Sequence, residues 1–206
     1  IREKYQYNIG FSVQPQQSTT SYEQGTIKVD TTRNVVNFSP TFDYRYRFNK
    51  QSMLRINYRG RTSQPSMTDL LPITDTSDPL NISKGNPSLK PSYTNSFMLF
   101  YNTFLPEKQQ SMMARLTFSN TINSVSNTVT YDEETGARIT QPKNINGNWS
   151  ASGGFVFNTP LKNKKFTVST FSDGSYNNMV GFTSLSGQTD SQKNTTRSLN
   201  LSERLN

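Results

Sequence analysis

The acids of "DTSD" (residues 75–78) and "DEETGAR" (residues 132–138) are the side chains best placed by type and spacing for catalysis. Paired carboxylates can divide acid and base work in glycoside hydrolysis, and acidic runs can hold a hard cation through oxygen ligands. Neither cluster has the spacing of a calcium loop. Both lie in Ser/Thr/Gly-rich segments, where aspartate accepts bonds from nearby backbone amides and forms turns. Histidine and cysteine are absent, which removes the commonest general base, thiol nucleophile and zinc ligands. The glycines form no phosphate-binding loop. The residues therefore point to no catalytic, cofactor-binding or metal site, and the chain is expected not to be an enzyme.

Arginine offers a second chemistry. In "FSPTFDYRYRFNKQSMLRINYRGR" (residues 38–61), Phe42, Tyr44, Tyr46, Ile56 and Tyr58 alternate with Asp43, Arg45, Arg55, Arg59 and Arg61. A period of two means strands with one apolar and one strongly polar face. Interleaved arginine and aromatic residues can bind single-stranded nucleic acid, but there both must reach the same strand. Here they fall on opposite faces, so no nucleic-acid partner is expected. The net charge of +8 suits an anionic partner, although spread over a surface it is equally a solvated wall.

About eight strands carry these faces, and no segment reads as a helix. The first is "YQYNIGFSVQ" (residues 5–14), and the hairpin of residues 38–61 supplies the next two. Residues 95–104 are apolar on both sides, giving no clear facing. A fifth strand runs from Met112 towards Tyr131, and a sixth places Trp149, Phe155 and Phe157 on one side. The last two start at Phe166 and end at Leu205. Short turns at 49–51, 105–110 and 159–165 alternate with long connections at 15–34, 62–92 and 181–194. The fifth and sixth strands meet in "DEETGAR", far out on two long strands. In an up-and-down meander every short turn falls at one end and every long loop at the other.

Register sharpens the contrast between the faces. A three-residue turn at 49–51 pairs Tyr44 with Ile56 and sets Arg45 directly opposite Arg55. Two facing guanidiniums are unfavourable in a dry core and tolerable beside water or carboxylates. Arg45, Arg55, Arg59 and Arg61 are thus expected to face a wet lumen. Phe42, Tyr44, Tyr46, Ile56, Tyr58, Trp149, Phe155 and Phe157 are expected to face a membrane. The strands reach the roughly 9–11 residues that a tilted membrane-spanning strand needs, whereas soluble strands average roughly 5–6. The mean hydropathy of −0.74 does not oppose this, because β-barrels give weak hydropathy signals. The competing expectation is a soluble β-sandwich or adhesin-like module that binds glycans through exposed aromatics.

One stretch bears on the choice. In "YRGRTSQPSMTDLLPITDTSDPLNISKGNPSLKP" (residues 58–91), Tyr58 and Arg59 lead to Pro65 and Ser66. Asp78 and Pro79 follow, then Gly85, Asn86, Pro87, Leu89, Lys90 and Pro91. The order resembles the barrel region of TonB-dependent outer-membrane receptors, within the outer-membrane β-barrel family. Ser92 stands where that family usually has glutamate. The resemblance implies an outer-membrane location in a Gram-negative cell, membrane lipid around the barrel, and nutrient uptake. It also implies a plug domain and the TonB system as partners in the intact receptor. Such receptors have 22-stranded barrels, so residues 1–206 are expected to be one barrel segment, truncated at both ends and without a plug. The segment "GNPSLKP" itself reads as a structural loop: Gly85 permits positive φ, while Pro87 and Pro91 fix φ and aim the chain into the next strand.

Overall fold

The computed structural model describes residues 4–24, 27–162, 165–183 and 192–206. Its strands are β1 (Tyr5–Gln24), β2 (Ile27–Arg47), β3 (Ser52–Ser63), β4 (Thr74–Asp75), β5 (Asn81–Lys84) and β6 (Ser92–Leu105). There follow β7 (Gln110–Ile122), β8 (Ser124–Tyr131), β9 (Arg138–Ile145), β10 (Asn148–Pro160), β11 (Thr167–Thr183) and β12 (Gln192–Leu205). One helical turn, α1 (Met67–Leu70), lies between β3 and β4. The fold is all-β, as the alternation of residue types requires.

Eight strands form one antiparallel sheet in the order β1-β2-β3-β6-β7-β10-β11-β12. This is the expected meander, and its two edges are open. β12 is exposed at every residue. On the edge strand β1, Phe11 is 77% exposed, against 38% for Leu99 inside the sheet. The difference is the missing lateral neighbour, since both residues lie on the same face.

Pairing carries single rows of side chains across all eight strands. Ile9, Phe42, Tyr58, Phe97, Phe118, Ala151, Tyr176 and Leu199 form one such row. The adjacent row on that face is Tyr7, Tyr44, Ile56, Leu99, Leu116, Gly153, Gly174 and Leu201. Pro40 ends the β2–β3 ladder, which runs only from Arg47 to Thr41 on β2, because proline has no amide hydrogen to donate. Beyond it the Thr62 hydroxyl accepts from the Phe38 amide at 3.1 Å and donates to its carbonyl at 3.0 Å.

The connections depart from expectation in three ways. Residues 15–34 are mostly not a loop: β1 and β2 stay in register up to Gln24 opposite Ile27. Their Ser, Thr, Asn and Gln side chains bond across the pair, with Asn37 Nδ2 donating to Gln16 Oε1 at 3.0 Å and the Thr19 and Thr32 hydroxyls 3.1 Å apart. Secondly, the long fifth and sixth strands are each broken. Asn123, at φ 54°, separates β7 from β8, and Gly147, at φ 119°, ends the link between β9 and β10. These left-handed residues turn the outer hairpin out of the main sheet. Thirdly, residues 62–92 are not open loop. They form α1 and contribute β4 and β5 to a second sheet, β4-β5-β9-β8, in which β5 and β9 are parallel. The connection at 181–194 lies mostly outside the described residues.

Most of the dry core belongs to this second layer and its connections, with Val180 of β11 joining it from the main sheet. Among the described residues the buried apolar side chains are Leu70, Leu71, Leu89, Ala137, Ile145 and Val180. None belongs to the two aromatic-face rows above. A sandwich would bury those rows beneath a second sheet. The four-stranded sheet instead stands at the long-loop end, so the soluble-sandwich expectation fails on packing.

Candidate functional site

The arginine face begins with the β2–β3 ladder, where Arg45 stands opposite Arg55 and Asp43 opposite Asn57. Arg55 reaches diagonally to Asp43: Nε donates to Oδ2 at 2.7 Å, and Nη2 lies 2.6 Å from the same oxygen. Asn57 Nδ2 donates to it as well, at 3.3 Å. Asp43 is therefore already engaged. Arg45 Nε is buried and has no hydrogen-bond partner.

The row continues from Arg55 to Phe100, Arg115, Gly154 and Asp173. Arg59 pairs with Thr41 and Ser96, and Arg61 with Thr94. By strand alternation all of these share the face of Arg45. Sequence reasoning missed Arg115, although its alternation with Leu116 and Phe118 was a usable signal. It also left β6 unassigned, because Met98 and Phe100 are apolar on a polar face. Phe100 lies between Arg55 and Arg115 in this row.

The opposite face is aromatic. Phe42, Tyr44, Tyr46, Ile56 and Tyr58 fall on it through their pairing, and so do Trp149, Phe155 and Phe157. Ring contacts cross the inner strands in sequence: Tyr58–Phe97 at 4.8 Å, Phe97–Phe118 at 6.4 Å, Phe118–Trp149 at 6.1 Å and Trp149–Tyr176 at 5.0 Å. On β7 this face runs from Met112 to Ile122, a stretch as long as the roughly 9–11 residues of a tilted membrane strand.

Above the sheet, "GNPSLKP" is a clasp between the two folded connections. The Asn86 amide donates to the Asp69 carbonyl at 2.5 Å, and its side-chain Nδ2 to the Pro142 carbonyl at 2.9 Å. Gln141 Nε2 donates to the Gly85 carbonyl at 3.1 Å. Asn144 Oδ1 accepts from the Lys90 amide at 2.8 Å, while its Nδ2 donates to the carbonyls of Lys90 and Asn123, each at 2.9 Å. Leu89 is buried between them, and Arg33 Nη2 donates to its carbonyl at 3.1 Å. Pro87 and Ser88 form a turn in which the Leu89 amide donates to the Asn86 carbonyl at 3.3 Å, and the fixed φ of Pro87 suits that turn.

Gly85 plays a different part from the one its sequence context suggests. Positive φ occurs at Gly136 and Gly147, not here. A Cβ at Gly85 would collide with the Leu71 carbonyl and lie 3.3 Å from that of Asp69. Glycine is needed there because two backbones meet.

The acidic clusters are turn chemistry. Asp75 Oδ1 accepts from the Ser77 hydroxyl at 2.7 Å and amide at 3.0 Å. Asp78 accepts from Asn81 Nδ2 at 2.8 Å and the Leu80 amide at 3.0 Å. Asp132 Oδ1 accepts from the Thr135 amide and hydroxyl, both at 2.8 Å. These donors hold all three carboxyls below the usual aspartate range. Among the described residues no three acids converge into a cation site.

With this geometry in place, the comparison with known families gives one result. Residues 2–206 match the model of the outer membrane protein beta-barrel family. A search of curated proteins finds no match.

Proposed function

From the premise that the chain belongs to the outer membrane protein beta-barrel family, and so resides in the outer membrane, we propose that it is a wall segment of a TonB-dependent receptor that takes up a nutrient. The aromatic face lies against lipid and the arginine face lines the aqueous interior. The plug domain and the TonB system act on the intact receptor, and the chain itself catalyses no reaction. One observation carries the reading: the clasp of residues 85–91 joins two long connections into an ordered cap at one end of the meander. Short turns close the other end, and outer-membrane barrels use short periplasmic turns and longer outer loops. A rigid cap above an arginine-lined interior is an arrangement suited to capturing a ligand before import.

Uptake assays in whole cells test it. Cells carrying the receptor should accumulate a labelled ferric chelate, cobalamin or oligosaccharide only while TonB is intact. Accumulation that persists at full rate without TonB would make this barrel a passive pore.

A further inference from the structure

At the short-turn end of the sheet, the β2–β3 turn and the start of β1 surround a cavity of about 510 Å³. Lys4, Arg47, Lys50, Phe48, Met53 and Asn102 contribute to its lining, and among the described residues no carboxylate does. Arg47, Met53 and Asn102 form one row of the arginine face. The Arg47 amide donates to the Lys4 carbonyl at 2.7 Å, which draws Lys4 alongside. Among the described residues the ion pairs are Lys28–Glu23 and Arg55–Asp43, so none of these three cations has a carboxylate. Asn102 Oδ1 is buried without a hydrogen-bond partner.

Three like charges around one hollow repel each other until an anion enters. A carboxylate brings one charge and two oxygens. A phosphate ester brings a charge of about −1.5 to −2 and three acceptor oxygens, one for each cation. The cavity is much larger than a phosphate group. It has room for an organic body against Met53, and Asn102 Oδ1 can accept a hydrogen bond from that body. We propose that this cavity binds a phosphate ester whose organic part carries a hydroxyl or amine. A soluble polyol phosphate, a monoester, offers all of this; a phospholipid headgroup, a diester, offers one charge and two free oxygens.

Calorimetric titration of the full chain in a neutral maltoside detergent separates the two sources. Glycerol 1-phosphate is the soluble probe, glycerol its uncharged control, and phosphatidylglycerol in mixed micelles the lipid probe. Saturable binding of either phosphate, with none of glycerol, supports the site and identifies the source. Arg47→Gln and Lys50→Gln should each weaken that binding about tenfold. Lys108→Gln, in the neighbouring short turn, should leave it unchanged. An unaltered β circular-dichroism spectrum shows that each variant has folded. The proposal is overturned if neither phosphate binds, if Lys108→Gln weakens binding as much as Arg47→Gln, or if oligo-aspartate binds while both phosphates do not. The titration involves no transport, so a failure of the TonB reading leaves its outcome unaffected.

Discussion

Arg45 faces Arg55 across the β2–β3 ladder, and of the two only Arg55 holds a carboxylate, that of Asp43. Asp43→Asn should therefore cost more than one hydrogen bond, since it leaves two facing guanidiniums without neutralisation. Arg55 is more than a third exposed, so solvent screening limits the loss to about 1 kcal/mol. Urea unfolding in detergent measures it. Arg45→Gln in the same chain should recover most of the loss, and a double-mutant cycle with no coupling would show that the two arginines ignore each other.

Gly85→Ala should open the clasp. The Leu71 carbonyl that blocks the new methyl group is backbone and cannot swing aside, so the cost is that of overpacking, about 1–3 kcal/mol. Hydrogen exchange should quicken at Asn86 and Leu89 while β6 and β7 keep their protection. Uniform loss of protection would mean that the cap and the sheet unfold as one unit.

The facing of the sheet can be read with thiol probes, because the chain has no cysteine of its own. In intact cells, Tyr44→Cys should resist a membrane-impermeant maleimide and react with a lipid-soluble one. Arg45→Cys, one residue along the strand, should show the reverse preference when the interior is open to water. Equal labelling of both positions contradicts the assignment of the aromatic face to lipid.

Acid should loosen the loops before the sheet. The carboxyls of Asp75, Asp78 and Asp132 are depressed by the bonds they accept, from Ser77, from Asn81 and Leu80, and from Thr135 and Glu134. A depressed folded value means the stabilisation is complete above the ordinary value of 3.8 and is lost as pH falls through the folded one. Amide resonances of Ser77, Leu80 and Thr135 should shift as pH falls below that ordinary value. Asp78→Asn should remove the transition at Leu80 alone.

Alternation made the sheet legible, because rows such as Tyr44–Ile56 and Arg45–Arg55 follow from period two and one short turn. The outer half of the β1–β2 hairpin was not, since Ser, Thr, Asn and Gln are spread over both its faces, Val36 falls on one and Val35 and Val29 on the other, and no contrast of polarity results. The break at Asn123 was also hidden, because nothing in the local sequence marks a turn there, whereas the dipeptide Asn146–Gly147 was a usable turn signal that was missed. At the candidate site, the run of arginines was visible, whereas the capture of Asp43 by Arg55 is a diagonal contact that pairing alone does not specify. Gly85 was singled out for the wrong reason: its constraint comes from Leu71, fourteen positions earlier in the chain.

Water exclusion can act only where water is the alternative. Leu70, Leu71, Leu89, Ala137 and Ile145 are buried in the cap, while the aromatic rows, on the proposed reading that they face lipid, exchange one apolar surrounding for another when they leave a protein contact. The heat-capacity change of unfolding, which reports apolar surface newly wetted, should therefore be small for the chain's length in a bilayer. What there is of it should come from the cap. Cold should weaken the cap selectively, since the entropic drive that closes it fades with cooling, while the hydrogen-bonded wall beneath, its apolar face set against lipid in the proposed reading, has little of that drive to lose.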